Sequence, residues 1–185
     1  SDCIDQVVLV DRLREIRVLT GFQRHTMARR VPPDLGRREP FLPAVEVFGE
    51  GVFIGFSEEV VRAWEVQPEA QRTADLLRKR LSGSMHARWL TADVTPRLIM
   101  FHTLAHLLLR QMAFDAGYSS SALRERLYAS TDGDGRAAIV IYTAAGDAEG
   151  TMGGLARLGE AERLLPILAA AVTTAEWCSL DPVCR

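Results

Sequence analysis

Hydrophobic and polar positions change their period several times along this chain, and each change predicts an element. Val7–Val10 and Ile16–Leu19 are short apolar runs with β-branched residues, read as two strands, the second ended by Gly21. Residues 23–40 lose any period and carry Pro32, Pro33, Gly36 and Pro40, which is the composition of a loop. Strand character returns at Ala44–Phe48 and again at Val52–Phe56, with Gly49, Glu50 and Gly51 between them as the turn of a predicted hairpin. Ser57 followed by Glu58 and Glu59 gives a capped helix through Trp64. Pro68 opens another that runs to about Leu81, with Leu76, Leu77 and Leu81 at helical spacing and Gly83 as its stop.

Pro96 begins the most apolar helix, which contains Leu98, Ile99, Met100, Phe101, Leu104, Leu107, Leu108, Leu109 and Met112 and ends at Gly117. Apolar side chains on nearly all sides place it in the middle of the domain. Ser119–Ser121 can cap a short helix through Tyr128. Asp132-Gly133-Asp134-Gly135 is a turn signal, and Ala137–Thr143 is a β-branched apolar strand of central character. A glycine-rich segment from Gly146 to Gly154 follows, and a last helix covers roughly Glu160–Trp177. The expected fold is α+β: a single domain with a mixed sheet and a buried central helix.

Composition agrees with a packed core, since 48% of the 185 residues are apolar. No apolar run is long enough to span a membrane, and the first residues do not form a basic-then-apolar leader. The three cysteines, Cys3, Cys178 and Cys184, are an odd number and do not read as a disulfide framework, so a reducing, cytoplasmic setting is expected. A net charge of −2 weighs against an autonomous nucleic-acid binder, although its distribution is uneven. Positive charge is almost all arginine, with Lys79 the only lysine.

Four groups of residues could carry chemistry. His102 and His106 stand i, i+4 on one helix face, a spacing that lets two imidazoles share a metal. Thr103 stands where the zinc-protease helix motif has its glutamate, which argues against that chemistry. The plain alternative is a pair of buried histidines bonded to backbone or carboxylates. Asp147 and Glu149 lie in the glycine-rich segment after the central strand; they are either turn and cap residues or, with the histidines, a catalytic set for a metal-dependent hydrolase or nuclease. No phosphate-binding glycine fingerprint is present. Cys178 and Cys184, six apart, could supply part of a zinc site, with Cys3 joining only if the termini meet. Arg24, Arg29, Arg30, Arg37 and Arg38 share one loop, and Arg72, Arg78, Lys79, Arg80 and Arg88 lie on and after one helix. Either set could touch phosphates or simply form a solvated face.

Five ordered motifs carry a resemblance. They are Leu13-Arg14-Glu15-Ile16-Arg17-Val18-Leu19-Thr20-Gly21-Phe22-Gln23-Arg24; Phe48-Gly49-Glu50-Gly51-Val52-Phe53-Ile54; His102-Thr103-Leu104-Ala105-His106; the stretch from Ile141 to Gly154; and Trp177-Cys178-Ser179-Leu180-Asp181-Pro182-Val183-Cys184. Together they cover nearly the whole chain and resemble the MrfA-type zinc-binding domain. That domain occurs at the C-terminus of MrfA-like superfamily 2 DNA helicases and in the helicase-partner subunit of the DISARM phage-defence system. The resemblance implies one zinc held by four cysteines near the C-terminal end, with Cys178 and Cys184 as the first pair and Cys3 incidental. It also implies a domain over 1–185 that stops inside its zinc-binding region. The implied role is a non-catalytic accessory module of a helicase system in DNA repair or phage defence. Its expected partners are a superfamily 2 motor, in cis or in trans, and DNA. A purely structural docking domain and the hydrolase reading are the alternatives.

Overall fold

The structure is a computed structural model that describes residues 3–23, 31–34, 37–83, 93–119, 121–131, 137–143 and 154–175. Its frame is a four-stranded sheet in the order β1-β2-β4-β3, formed by β1 (Ile4–Val18), β2 (Ala44–Phe56), β3 (Leu123–Tyr128) and β4 (Ala138–Thr143). Every strand pair is antiparallel, which corrects the expectation of a mixed sheet. The helices are α1 (Glu58–Glu65), α2 (Pro68–Ser82), α3 (Pro96–Ala116) and α4 (Ala161–Ala175), with a short 3-10 helix at Ala156–Gly159. Among the described residues no helix is long and apolar enough to cross a membrane.

Two pairs of expected strands each merge into one. The two predicted N-terminal strands are a single long strand, β1, whose pairing with β2 is interrupted by a register shift between Val10 and Leu13. The predicted hairpin at Gly49–Gly51 is also continuous strand, and the true hairpin is β1 with β2. Gly51 is there for close approach rather than for a turn. A Cβ at this position would lie 2.5 Å from the Ile141 carbonyl oxygen and 2.8 Å from the Tyr142 Cβ. Where a helix is expected through Tyr128, Leu123–Tyr128 is instead strand β3. Leu123, Glu125 and Leu127 on its inner face alternate with Arg124, Arg126 and Tyr128 on its outer one. The remaining helices and β4 stand where they are expected, within a residue or two at their ends.

Helix α3 packs against one sheet face through Phe101, Ala105, Leu108 and Met112, all fully buried. Their partners include Val52 and Ile54 of β2 and Ile139 and Ile141 of β4, which pair as Val52↔Ile141 and Ile54↔Ile139 and so share that face. Leu155 before the 3-10 helix, Leu158 within it, and Leu164, Ile167 and Ala171 of α4 contribute to the same core. The apolar surface removed from water along this stripe supplies the main driving force for seating α3.

Both ends of α3 are fixed by buried polar groups. At its start Thr95 caps the helix, its hydroxyl accepting from the Leu98 amide at 3.1 Å. Next to it Arg97, whose side chain is 1% exposed, is held between α1 carboxylates. Its Nε and Nη2 donate to Glu65 (both 2.9 Å), its Nη2 and Nη1 to Glu58 (2.8 and 2.9 Å), and Nη1 also reaches the Ser130 carbonyl at 3.3 Å. These five bonds use the whole guanidinium fork, which a lysine could not reproduce. Burial pushes the Glu58 carboxyl up, but hydrogen bonds from Arg97 and Arg62 outweigh it and hold the group below its ordinary 4.5.

At the far end Gly117 takes a left-handed conformation (φ 71°) and ends the helix. Tyr118 then donates to Glu50 of β2 at 2.7 Å. Glu50 is 2% exposed and also accepts from the amides of Leu155 (3.0 Å) and Ala156 (3.5 Å) at the start of the 3-10 helix. Burial first, and the Glu50 carboxylate second, push the Tyr118 phenol up to about 12.

Two outcomes follow. Arg97→Met should lower unfolding free energy by about 3–5 kcal/mol in urea, because two carboxylates lose a buried partner, and Arg97→Lys should recover only part of it. Because the Glu58 carboxyl is depressed, its contribution is present above about pH 4.5 and is lost as pH falls through the folded value. The acid limb of stability should therefore be shallower in Arg97→Met. The Tyr118 shift has the opposite sense: its contribution is present below pH 10 and lost as pH rises through about 12. An ultraviolet titration of the folded chain should lose its tyrosinate step near 12 in Tyr118→Phe.

Candidate metal centre

Seating the Phe101–Met112 stripe on the sheet determines where the rest of α3 points. His102 and His106, one turn apart, fall on the helix border beside the edge strand β3 and stay exposed, at 57% and 52% of their side-chain surface. The reading of these histidines as buried structural residues is therefore corrected: burial is confined to the adjacent stripe.

On β3 the inward series is Leu123, Glu125 and Leu127, paired with Thr143, Ile141 and Ile139 of β4. Glu125 thus occupies a core-facing position between two leucines, and from there its Oε1 reaches the histidines. It lies 3.6 Å from His102 Nε2 and 3.8 Å from His106 Nε2, and the two Nε2 atoms are 3.1 Å apart. The rings meet edge to face, 4.4 Å between centroids. With both imidazoles neutral, one N–H can donate to the other ring's lone pair; with both protonated, the pair would repel. Glu125 Oε2 is buried and has no hydrogen-bond partner among the described residues. A carboxylate oxygen in that condition costs on the order of 1–3 kcal/mol.

The cluster opens on a cleft of about 640 Å³ lined by His106, Leu109, Arg110, Leu123, Arg124, Glu125 and Tyr142. Burial, and then the Glu15 carboxylate across the sheet, raise the Tyr142 phenol above its ordinary 10.0 and keep it protonated. Arg124 sits 3.8 Å from that same Glu15.

Of the other site expectations, Asp147, Glu149, Cys178, Cys184, Arg24, Arg29 and Arg30 lie outside the described residues. Cys3 is exposed, and its carbonyl accepts from the Ser57 amide at 2.9 Å. Arg37 and Arg38 are exposed, and Arg38 has a positive φ of 60°. On α2, Arg72 pairs with Glu69 and Arg78 with Asp75 at i, i+3, the pattern of a solvated helix face. Glu125 is not among the candidates that the sequence suggests. Its signal is an acidic residue on the apolar phase of an alternating run, hidden by reading 119–128 as helix.

The sequence profile of the MrfA Zn-binding domain matches residues 104–185. This stretch is similar to that family. It contains His106 and Glu125, and His102 precedes it by two residues. The chain is also 34% identical to the DISARM protein DrmB of Bacillus paralicheniformis over 201 aligned positions, covering 97% of this chain and 34% of that protein. The chain thus spans about a third of the length of this curated relative. Two imidazoles with a carboxylate are ordinary zinc ligands. Among the described residues, His102, His106 and Glu125 are the group whose donor atoms converge closely enough to hold such an ion.

A buried, unpartnered carboxylate that serves a ligand should be dispensable for folding. Glu125→Leu is expected to raise the urea stability of the chelator-treated chain by about 1 kcal/mol or more. A loss of stability would mean that the carboxylate stabilises the fold through the histidines alone.

Proposed function

We propose that this chain is an accessory module of a helicase-based antiviral-defence system, contributing contacts to DNA and to a partner rather than motor activity. The observation that carries this reading is the 34% identity to a DISARM protein across 97% of the chain. The match of residues 104–185 to a family named for MrfA supports a helicase setting, and no phosphate-binding glycine–lysine motif stands in the sequence to serve as a motor here. The motor belongs to another part of the same protein or to a partner subunit.

On this reading the DNA contacts come from the segment between β1 and β2. It carries Arg24, Arg29, Arg30, Arg37 and Arg38 against Asp34 and Glu39, a local excess of positive charge in a chain of net charge −2. Arginine forks suit phosphate oxygens, and phosphate contacts position a protein on DNA without reading its sequence.

Two measurements test the proposal. In cells carrying the complete system, removing this module should abolish restriction of phage plating while leaving the purified motor's basal ATP hydrolysis in place. In the complete assembly, replacing Arg29, Arg30, Arg37 and Arg38 by alanine should weaken binding to labelled duplex. It should also flatten the plot of log affinity against log salt, by about one unit for each phosphate that is no longer neutralised. Unchanged affinity and slope would remove the loop from the interface.

A further inference from the structure

We propose that His102, His106 and Glu125 bind a divalent transition metal of the zinc class, leaving at least one coordination position open to the cleft. This site would be separate from the cysteine pair near the C-terminus.

Three independent features support it. The first is distance. Ligand atoms about 2.0–2.1 Å from a tetrahedral ion lie roughly 3.3 Å from one another. The three separations here are 3.1, 3.6 and 3.8 Å, close to that edge length before any ion draws the side chains in. The second is the state of the lone pairs. Two Nε2 atoms at 3.1 Å share one hydrogen bond, which engages a single lone pair, whereas a cation can accept both lone pairs at once. The third is Glu125, held on the core side of β3 with Oε2 buried and unpartnered among the described residues. A folded protein seldom leaves a carboxylate in that condition without a counter-charge that it is placed to meet.

The donor set also limits the choice of ion. Two imidazoles and one carboxylate suit zinc, cobalt, nickel or iron(II), and disfavour calcium and magnesium, which take oxygen ligands. Three protein ligands leave room for a water or a ligand oxygen. Arg110 lines the same cleft as His106 and Glu125, so an anionic group is the natural additional ligand. The site does not depend on the accessory role: metal binding can persist where DNA association fails, and the reverse.

The test uses Co²⁺ as a spectroscopic probe, with Zn²⁺ as competitor. The chain carries Cys3→Ser, Cys178→Ser and Cys184→Ser to remove thiolate ligands. One equivalent of Co²⁺ should bind with visible d–d bands and no thiolate charge-transfer band, and Zn²⁺ should displace it. In this background Glu125→Gln and His106→Ala should each weaken Co²⁺ binding at least tenfold. Zn²⁺ should raise the melting temperature of the background chain but not that of the His106→Ala variant. Both histidines are exposed, so their replacement leaves the core intact, and Glu125→Gln preserves side-chain size. No binding in the serine background would overturn the proposal, as would binding that Glu125→Gln and His106→Ala leave unchanged.

Discussion

Helix α3 is fixed against the sheet at three places, and its rotation about its own axis follows from them. Phe101, Ala105, Leu108 and Met112 set which side faces the strands. Arg97, enclosed by Glu58 and Glu65, ties its first turn to α1. Tyr118, bonded to Glu50, ties the residue after its end to β2 and, through the same carboxylate, to the amides of Leu155 and Ala156. The apolar stripe supplies most of the free energy, but a stripe of apolar side chains alone tolerates sliding and rotation. The two buried polar attachments do not, because each leaves a charge or a lone pair unsatisfied if the helix shifts by a turn. With α3 so held, His102 and His106 have one place to be, on the border above β3.

That border is where the fold departs from its own local rules. An edge strand covered by a helix would be expected to continue Leu-x-Leu on its inner face, and a leucine at 125 would satisfy that pattern. Glu125 stands there instead, with one oxygen toward two exposed imidazoles and the other buried without a partner among the described residues. Such local conflicts concentrate at functional sites, where stability has been exchanged for a ligand position. The Arg97 and Glu50 sites are also buried and charged, yet both are well hydrogen-bonded, and Glu15, whose Oε2 is buried and unpartnered like that of Glu125, has the cations Arg17 and Arg124 beside its other oxygen; Glu125 faces two imidazoles.

The helices were legible because their ends are written locally. Ser57 before Glu58 and Glu59, Pro68, Pro96 and Gly117 act within one turn, and each marks the boundary found. Strands were less legible because their pairing is not local. Glycines at 49 and 51 have the composition of a turn, and only the closeness of Ile141 and Tyr142 reveals Gly51 as a flat spot within a continuous strand. Residues 119–128 offered serines for a cap and a period of two over just six strand residues, too short to decide between the alternatives. Two of the three residues of the candidate site are visible in the histidine spacing. The third, Glu125, required knowing that β3 is a strand and that α3 packs beside it, a tertiary fact. The role of Arg97 is not local for a similar reason: its carboxylate partners lie 39 and 32 residues away in sequence.

The most direct test of the metal centre is X-ray absorption at the zinc edge of the Zn²⁺-loaded chain bearing Cys3→Ser, Cys178→Ser and Cys184→Ser. A metal held by His102, His106 and Glu125 predicts a first shell of nitrogen and oxygen at about 2.0–2.1 Å with the outer-shell scattering of two imidazoles. That imidazole signature should diminish in His106→Ala. A shell of oxygen alone, or an imidazole signature indifferent to His106, would contradict it.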